Sequence, residues 1–218
     1  MNDNLPDTDR EKRVAAAAAA ALVEEGSTVG LGTGSTVAFL LPALAERKLN
    51  LRCVATSPAT EYKARQLGLA VDTFDQLDRL DVAIDGADQI DPSGWLVKGD
   101  GGAHTREKIV ARAAERFVVI ASSDKLVEAL SPPVPLELLA YGRHATLRTL
   151  ASVTLRESPP SPDGGLIADY LGPIEDPAEL AARLAGTPGV VEHGLFSPDL
   201  VSEVFVGRGL EVDRFVPG

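Results

Sequence analysis

The sequence has 218 residues, of which 44% are hydrophobic and 24% charged, a length that suits one large domain or two small ones. Its 21 basic and 32 acidic residues give a formal net charge of -11, which argues against nucleic acid or an anionic membrane as a partner. No apolar run reaches the ~20 residues that cross a bilayer, and the single cysteine, Cys53, excludes an internal disulfide and a multi-cysteine zinc site. The polar residues 1–4 do not form a secretory signal, so we expect a cytoplasmic protein.

The first half of the chain alternates helix-like and strand-like segments, which is typical of an α/β protein with a mostly parallel sheet. Thr8 and Glu11 have the spacing of a capping box and predict a helix that continues through the alanine run to about residue 24. Further helices are predicted over residues 37–48, 59–67 and 105–116. Strands are predicted over residues 28–31, 51–55, 70–74, 80–85, 95–98 and 117–121.

The pattern changes at about residue 143. Strands predicted over residues 152–156, 166–170 and 190–193 surround a helix over residues 177–185, which indicates a small α+β subdomain. Residues 201–206 are predicted to return to the main sheet. We therefore divide the chain into an α/β unit of residues 1–140 and 200–218 and a small unit of residues 141–199.

The first glycine-rich loop, Gly30-x-Gly32-x-Gly34, partly matches a dinucleotide-binding fingerprint between a strand and a helix. The acidic residue that would hold a ribose is missing, because the second strand is followed by Thr56 and Ser57. The lysine of a nucleotide-binding P-loop is missing as well. The loop is then interpreted as a cradle of N–H groups and hydroxyls for a phosphate or a sugar hydroxyl, with a tight structural turn as the alternative.

Acidic and basic residues follow the next strands. Asp85 closes a predicted strand and Asp88 follows it, at the sheet edge where open α/β folds bind ligands. Lys98 ends a further strand, and Glu107 lies in the first turn of the next helix, where the helix dipole offers a purely structural reason for a carboxylate. A magnesium site made of Asp85, Asp88 and Asp91 is an alternative that this spacing leaves open.

Lysines are few, and their positions matter in a chain with this net charge. Lys98 and Lys125 both follow predicted strands at the same sheet edge, and Lys12 lies near the start of the first helix. They supply the local cations that an anionic substrate requires, although Lys12 is equally explained as a solvated surface charge. His104 is interpreted as a surface residue at a helix start, with a place in the lining of the pocket as the alternative, and Cys53 as a core residue.

Together these motifs resemble the ribose-5-phosphate isomerase family of the A type. They occur in the family's order and at its spacing, and the resemblance covers nearly the whole chain. The resemblance implies a Rossmann-like α/β fold, in which a mostly parallel sheet has helices on both faces, and a small α+β (ferredoxin-like) subdomain. It also implies a homodimer or tetramer that interconverts D-ribose 5-phosphate and D-ribulose 5-phosphate with no metal or organic cofactor. The matching segments are Gly32–Thr36, Asp85–Asp88, Lys98–Gly101, Thr105–Lys108, Ser123–Lys125 and Gly189–Phe196.

The resemblance assigns the proton-transfer base to Glu107. The chemistry fits, because one carboxylate can move a proton between C2 and C1 through an enediolate. Lys98 would stabilise the negative charge on the oxygens, and Asp85 would assist ring opening. The predicted substrate-binding residues are Thr33, Gly34, Ser35, Thr36, Asp85, Gly86, Ala87, Asp88, Lys98, Gly99, Asp100, Gly101 and Lys125, together with Lys12.

The sequence departs from the family's pattern at Asp100, where glycine is frequent, and at His104, where an aliphatic residue is common. A proline-rich turn over residues 158–162 stands where the family usually has a glycine pair. Two other functions stay open. One is an acyl-CoA transferase with Glu107 as nucleophile. The other is a non-enzymatic sugar-phosphate sensor, which the net charge and the short segment before the first helix disfavour.

Overall fold

The computed structural model describes residues 7–217, and the predictions for residues 1–6 and 218 lie outside this range. Within it, no helix has both the length and the apolar character that crossing a membrane requires. The helices are α1 (Asp7–Ala20), α2 (Val37–Glu46), α3 (Pro58–Gln66), α4 (His104–Ala113), α5 (Arg143–Leu150) and α6 (Pro177–Ala185). The strands are β1 (Thr28–Leu31), β2 (Arg52–Ala55), β3 (Leu80–Asp85), β4 (Gln89–Ile90), β5 (Leu96–Val97), β6 (Ala114–Ser122), β7 (Val134–Leu138), β8 (Val153–Leu155), β9 (Leu166–Tyr170), β10 (Val190–His193), β11 (Leu195–Phe196), β12 (Glu203–Arg208) and β13 (Glu211–Phe215).

The larger sheet confirms the predicted α/β fold. Its strands have the order β13-β12-β6-β3-β1-β2, and all neighbours are parallel except the β12–β13 pair. Successive residues of β6 face opposite sides of the sheet. Val118 and Ile120 join the apolar core under α1 and α2, whereas Val119 joins the core under α4. Helices therefore cover both faces of the sheet, as predicted.

A smaller antiparallel sheet has the order β10-β7-β9-β8. The chain order β7-α5-β8-β9-α6-β10 gives it the predicted ferredoxin-like arrangement. Because β7 belongs to this sheet, the sheet begins before residue 141. The predicted boundaries between the two units of the chain, at residues 140 and 199, stay a prediction. Gly194 connects this sheet to the strand before Lys98, since its N–H donates to the Pro135 carbonyl at 2.7 Å and its carbonyl accepts from Lys98 N at 2.8 Å.

The first helix differs from the prediction. Thr8 already lies inside it rather than before its first turn, and it ends at Ala20 rather than near residue 24. Glu11 does not cap the start of this helix. Its Oε2 accepts hydrogen bonds from the N–H of Ser123 at 2.9 Å and from the Ser123 hydroxyl at 2.7 Å. The capping-box prediction is therefore wrong, because a distant part of the chain provides the partner of Glu11.

Residues 70–74 do not form the predicted strand. Val71 makes one isolated bridge to Cys53, and a 3-10 turn follows at Phe74–Gln76. Cys53 itself is fully buried, as predicted. The sequence pattern also missed α5 and the strands β4, β7, β11 and β13. Of these strands, β4 and β11 have only two residues each, and β7 pairs with β9 and β10, which lie far away in the chain.

Candidate active site

Most of the predicted site residues meet at the carboxyl edge of the larger sheet. The loop after β1, the turn after β3 and the 3-10 turn Ser123–Lys125 after β6 lie side by side there, because these three strands are parallel neighbours. The loop after β5 completes the wall of a cavity of about 290 Å³. Its lining residues are Thr33, Gly34, Ser35, Thr36, Gly86, Ala87, Asp88, Lys98, Gly99, Asp100, Gly101, Glu107 and Lys125.

Three charged side chains form a buried cluster at the inner end of this cavity. Lys98 Nζ lies 3.0 Å from Asp85 Oδ2 and 3.1 Å from Glu107 Oε2. It also donates to the Gly86 carbonyl at 2.5 Å. Two carboxylates thus share one ammonium group out of contact with water, an arrangement that desolvation alone disfavours.

Asp85 is held in place by the glycine loop after β1. Its Oδ1 accepts hydrogen bonds from the backbone N–H of Thr33 at 3.0 Å and of Gly86 at 2.7 Å. Gly32 is required beside it, because a Cβ atom on this residue would lie 2.0 Å from the Asp85 carboxyl carbon. The loop sequence therefore leaves room for the Asp85 carboxylate and orients it at the same time.

The cluster shifts the pKa values of its members. Burial, and then the charge of Asp85, raises the pKa of Glu107 to about 8, although Lys98 acts in the opposite direction. Burial also raises the pKa of Asp85 against the effect of Lys98. Burial alone would lower the pKa of Lys98, but Asp85 and Glu107 outweigh it and raise that pKa above its usual value. The ammonium therefore stays charged, while the carboxyl groups hold protons more readily than in water.

The loop after β5, here called the lysine loop (Lys98–Gly101), is anchored at two points. The backbone N–H of Lys98 donates to the Gly194 carbonyl at 2.8 Å. The N–H of Asp100 donates to Asp88 Oδ2 at 3.1 Å. Asp88, one of the predicted binding residues, thus also holds the loop against the turn after β3.

His104 begins α4 and is fully buried, so the prediction of a surface residue is wrong. The first turn of α4 packs beneath the lysine loop, a tertiary contact that the local sequence does not encode. Gly99 has a φ of +106°, and a Cβ atom there would lie 2.7 Å from the His104 Nδ1. Burial, and then the charge of Lys108, lowers the pKa of His104 to about 4, so the ring is neutral.

The outer end of the cavity suits an anion. Ser35 and Thr36 stand immediately before α2, where free backbone N–H groups and the helix dipole favour negative charge. Lys125 reaches the same end from β6, and its side chain is 32% exposed, with Nζ 3.6 Å from Asp124 Oδ2. A helix start, hydroxyl groups and a partly solvated lysine therefore line the same cavity.

Two predicted binding residues make other contacts. The Thr33 hydroxyl lies 2.8 Å from the Thr56 hydroxyl and donates to the Ser57 Oγ at 2.9 Å, so it is occupied within the protein. Thr33 borders the cavity, and its backbone N–H holds Asp85. Lys12 lies on α1 with its Nζ 3.3 Å from Asp9 Oδ1, and it is not among the lining residues. Its role in binding stays a prediction.

Sequence reasoning missed two residues that hold the site from distant parts of the chain. Glu11 accepts from the N–H and hydroxyl of Ser123 and so fixes the turn that carries Lys125. Arg156, which follows β8, donates to the Asp100 carbonyl at 2.6 Å. No local pattern marks either residue, because each acts on a segment far away in sequence.

The proposed magnesium ligands do not converge. Asp85 is paired with Lys98, Asp88 accepts from the lysine loop, and Asp91 accepts from Ser93 in its own turn. Within residues 7–217, no group of three or more histidine, cysteine, aspartate or glutamate side chains is arranged to hold a metal ion.

Known proteins were compared with this chain by sequence and by structure. The family model described as ribose 5-phosphate isomerase A (phosphoriboisomerase A) matches residues 52–210. The ribose-5-phosphate isomerase A of Caulobacter sp. (strain K31) is 43% identical, over 96% of this chain and 99% of its own length. The crystal structure of ribose 5 phosphate isomerase A from Neisseria gonorrhoeae is 32% identical with a TM-score of 0.92, covering 97% of this chain and 98% of its own. A D-ribose-5-phosphate isomerase in complex with phospho-erythronic acid is also 32% identical, with a TM-score of 0.90 and coverage of 96% and 99%. The chain therefore belongs to the ribose 5-phosphate isomerase A family.

Proposed function

We propose that this protein interconverts D-ribose 5-phosphate and D-ribulose 5-phosphate, with Glu107 as the base that moves the proton. The observation that carries the proposal is a buried cluster of Glu107, Lys98 and Asp85 at one end of a cavity whose other end suits an anion. A pentose phosphate presents the two matching groups, a reacting carbonyl and a phosphate. Membership of the family supports the same activity.

Isomerisation requires one proton to leave C2 and a proton to be delivered to C1. A single carboxylate can perform both transfers, because the carboxylic acid formed in the first step is the donor in the second. Burial raises the pKa of Glu107, so its carboxylate is a stronger base than that of an exposed glutamate. The position of Glu107 in the first turn of α4 keeps it on a rigid element beside the cavity.

Negative charge develops on the oxygens of the enediolate as C2 loses its proton. Lys98 is the cation of the buried cluster, and its raised pKa keeps it charged at neutral pH. Because Asp85 and Glu107 already orient the ammonium group, little reorganisation is needed when the charge appears. Asp85 is proposed to take or return a proton at O1 or at the ring oxygen and so to assist ring opening.

The phosphate is proposed to bind at the outer end of the cavity. Ser35 and Thr36 supply hydroxyl groups there, the start of α2 supplies N–H groups, and Lys125 supplies positive charge. Asp88 and the lysine loop line the wall between the two ends and are proposed to bind the sugar hydroxyls. A relative binds phospho-erythronic acid, a phosphorylated sugar acid, which supports a phosphorylated sugar as the occupant of this cavity.

The proposal is tested by incubating the dialysed protein with ribose 5-phosphate and EDTA and then detecting the ketose. We expect ribulose 5-phosphate to form at a rate that the chelator does not change. A loss of turnover that Mg²⁺ or Mn²⁺ restores would contradict the metal-independent mechanism. Binding of the sugar phosphate with no turnover would favour a sensor, and a glutamyl thioester formed from a CoA donor would favour an acyl-CoA transferase.

The same proposal includes a cytoplasmic homodimer. Leu139, Tyr141 and Val191 are exposed apolar side chains on the connection after β7 and on the edge strand β10, which suits a contact between subunits. Light scattering after size exclusion is expected to give the mass of two chains. The mass of one chain would contradict the dimer, and that of four chains would indicate a tetramer. Cell fractionation tests the compartment.

A further inference from the structure

Arg156 connects the small antiparallel sheet to the lysine loop. Its Nε and Nη2 donate to the two carboxylate oxygens of Asp169 on β9, at 2.8 and 2.6 Å. Its Nη1 donates to the Asp100 carbonyl at 2.6 Å and, at 3.4 Å, to the Gly99 carbonyl. One guanidinium group thus joins a strand of the small sheet to the loop that carries Lys98.

The pair with Asp169 fixes the direction of the Arg156 side chain. Two parallel N–H···O bonds define the plane of the guanidinium group, which leaves Nη1 directed at the loop. On the other side of the loop, Asp88 accepts the hydrogen bond from the Asp100 N–H. The backbone at Asp100 is therefore held both from the turn after β3 and from the small sheet.

Arg156 acts from outside the reaction cavity. It is not among the residues that line the cavity with Glu107 and Lys98. It borders a neighbouring cleft of about 410 Å³, between the proline-rich turn at residues 158–162 and the start of α3. The hydrogen bonds that link Arg156 to this cavity are those to the carbonyls of the lysine loop.

We propose that Arg156 is a positioning residue for the isomerase reaction, which holds the lysine loop so that Lys98 stays between Asp85 and Glu107. This inference rests on the proposed function. Glycines flank Asp100 on both sides, so a loop without the Arg156 hydrogen bond has little conformational restraint of its own. A displacement of Lys98 by roughly 1 Å is enough to weaken its interaction with the developing charge.

Two variants of Arg156 and one matched control test the proposal. Arg156→Met removes every donor and keeps an apolar stem, whereas Arg156→Lys can reach Asp169 or the loop but not both. Arg52→Met is the control, because Arg52 forms a similar ion pair with Asp72 at 2.8 Å but lies at the start of β2, on the opposite sheet edge. We expect kcat/KM to fall about ten- to a hundredfold in Arg156→Met, chiefly through kcat. The fall is expected to be smaller in Arg156→Lys and absent in Arg52→Met.

The pH profile separates positioning from a general loss of stability. Lys98 lowers the pKa of Glu107, so moving Lys98 away should shift the acidic limb of kcat/KM to higher pH in Arg156→Met. The amides of residues 99–102 should also exchange with solvent faster in that variant. An unchanged pH profile with unchanged amide exchange would overturn the proposal.

A further variant keeps the test decisive if Arg156→Met fails to fold. Asp169→Asn retains the guanidinium group but weakens the pair that orients it, so we expect smaller changes in the same direction. Unchanged kinetics and amide exchange in a folded Asp169→Asn protein would then overturn the proposal. If the wild-type protein has no isomerase activity, the proposed function fails. The amide exchange of Arg156→Met or Asp169→Asn still shows whether Arg156 holds the loop.

Discussion

At the inner end of the cavity, Lys98, Asp85 and Glu107 are each at most 5% exposed, whereas the Lys125 side chain at the outer end is 32% exposed. Charges attract and repel one another several times more strongly out of water than at the surface. The inner charges therefore change one another's pKa values, while Lys125 meets a ligand as a partly solvated and screened cation. The contrast indicates that buried charge is used for chemistry and exposed charge for recognition.

The largest expected effect concerns the buried end. Glu107→Gln keeps the shape of the side chain but cannot accept a proton, so kcat should fall by about 10²–10⁴-fold or more, with little change in KM. Steady-state kinetics with ribose 5-phosphate measure this. Glu179→Gln is the control, because Glu179 also lies in the first turn of a helix, but on α6 and exposed. Equal losses of kcat in Glu107→Gln and Glu179→Gln would contradict a special role of the buried end in the chemistry.

At the exposed end, Lys125→Ala should weaken binding and leave the chemistry largely intact. A charge-assisted contact contributes ~1.5–3 kcal/mol, so KM should rise about ten- to a hundredfold with a similar kcat. The difference from the wild type should shrink at high salt, because Lys125 is exposed. Lys48→Asn, at another exposed lysine, serves as the control. A lower kcat with unchanged KM would place Lys125 at the reacting carbons and break the comparison.

The pH dependence sharpens the comparison further. Glu107 must be ionised to act as a base, so kcat/KM of the free enzyme should rise with pH through the raised pKa of about 8. The charge of Asp85 contributes to that raised pKa. In Asp85→Asn the acidic limb of the kcat/KM profile should therefore move to lower pH, even if the variant also reacts more slowly. If the acidic limb of the wild-type kcat/KM profile lay at the ordinary pKa of a glutamate, the result would contradict the raised pKa of Glu107.

The smallest expected effect is on stability. Between pH 4.5 and about 8, folded Glu107 retains a proton that the unfolded chain has lost, so the free energy of unfolding should fall as pH rises. Glu107→Gln removes this dependence and leaves Lys98 with Asp85 as a neutral pair. Its melting temperature should exceed that of the wild type by a few degrees at pH 9, with a smaller difference at pH 5. Parallel pH dependence in both proteins would contradict the raised pKa.

The contrast between the two ends also explains what the sequence could predict. Asp85 and Lys125 stand at the ends of β3 and β6, which are parallel neighbours in the larger sheet, so the sheet topology alone brings them to one edge. Lys98 follows β5, which belongs to a separate three-stranded sheet of order β11-β5-β4, so its place in the site depends on tertiary packing and not on the predicted common sheet edge. The burial of His104 was not predictable in this way, because it depends on how α4 packs under a loop from another strand. Glu11 and Arg156 were missed for the same reason: their partners, Ser123 and the lysine loop, are remote in sequence.

The central claim, that Glu107 moves the proton at C2, is tested most directly by hydrogen exchange. NMR follows the loss of the C2 hydrogen of ribose 5-phosphate in D₂O, which reports enediolate formation even when no ketose is released. The C2 hydrogen should exchange at similar rates with the wild-type protein and with Lys125→Ala, when the variant is saturated with ribose 5-phosphate. With Glu107→Gln, no measurable exchange is expected. Exchange by Glu107→Gln near the wild-type rate would contradict the account and would make Asp85 or Asp88 the base to test next.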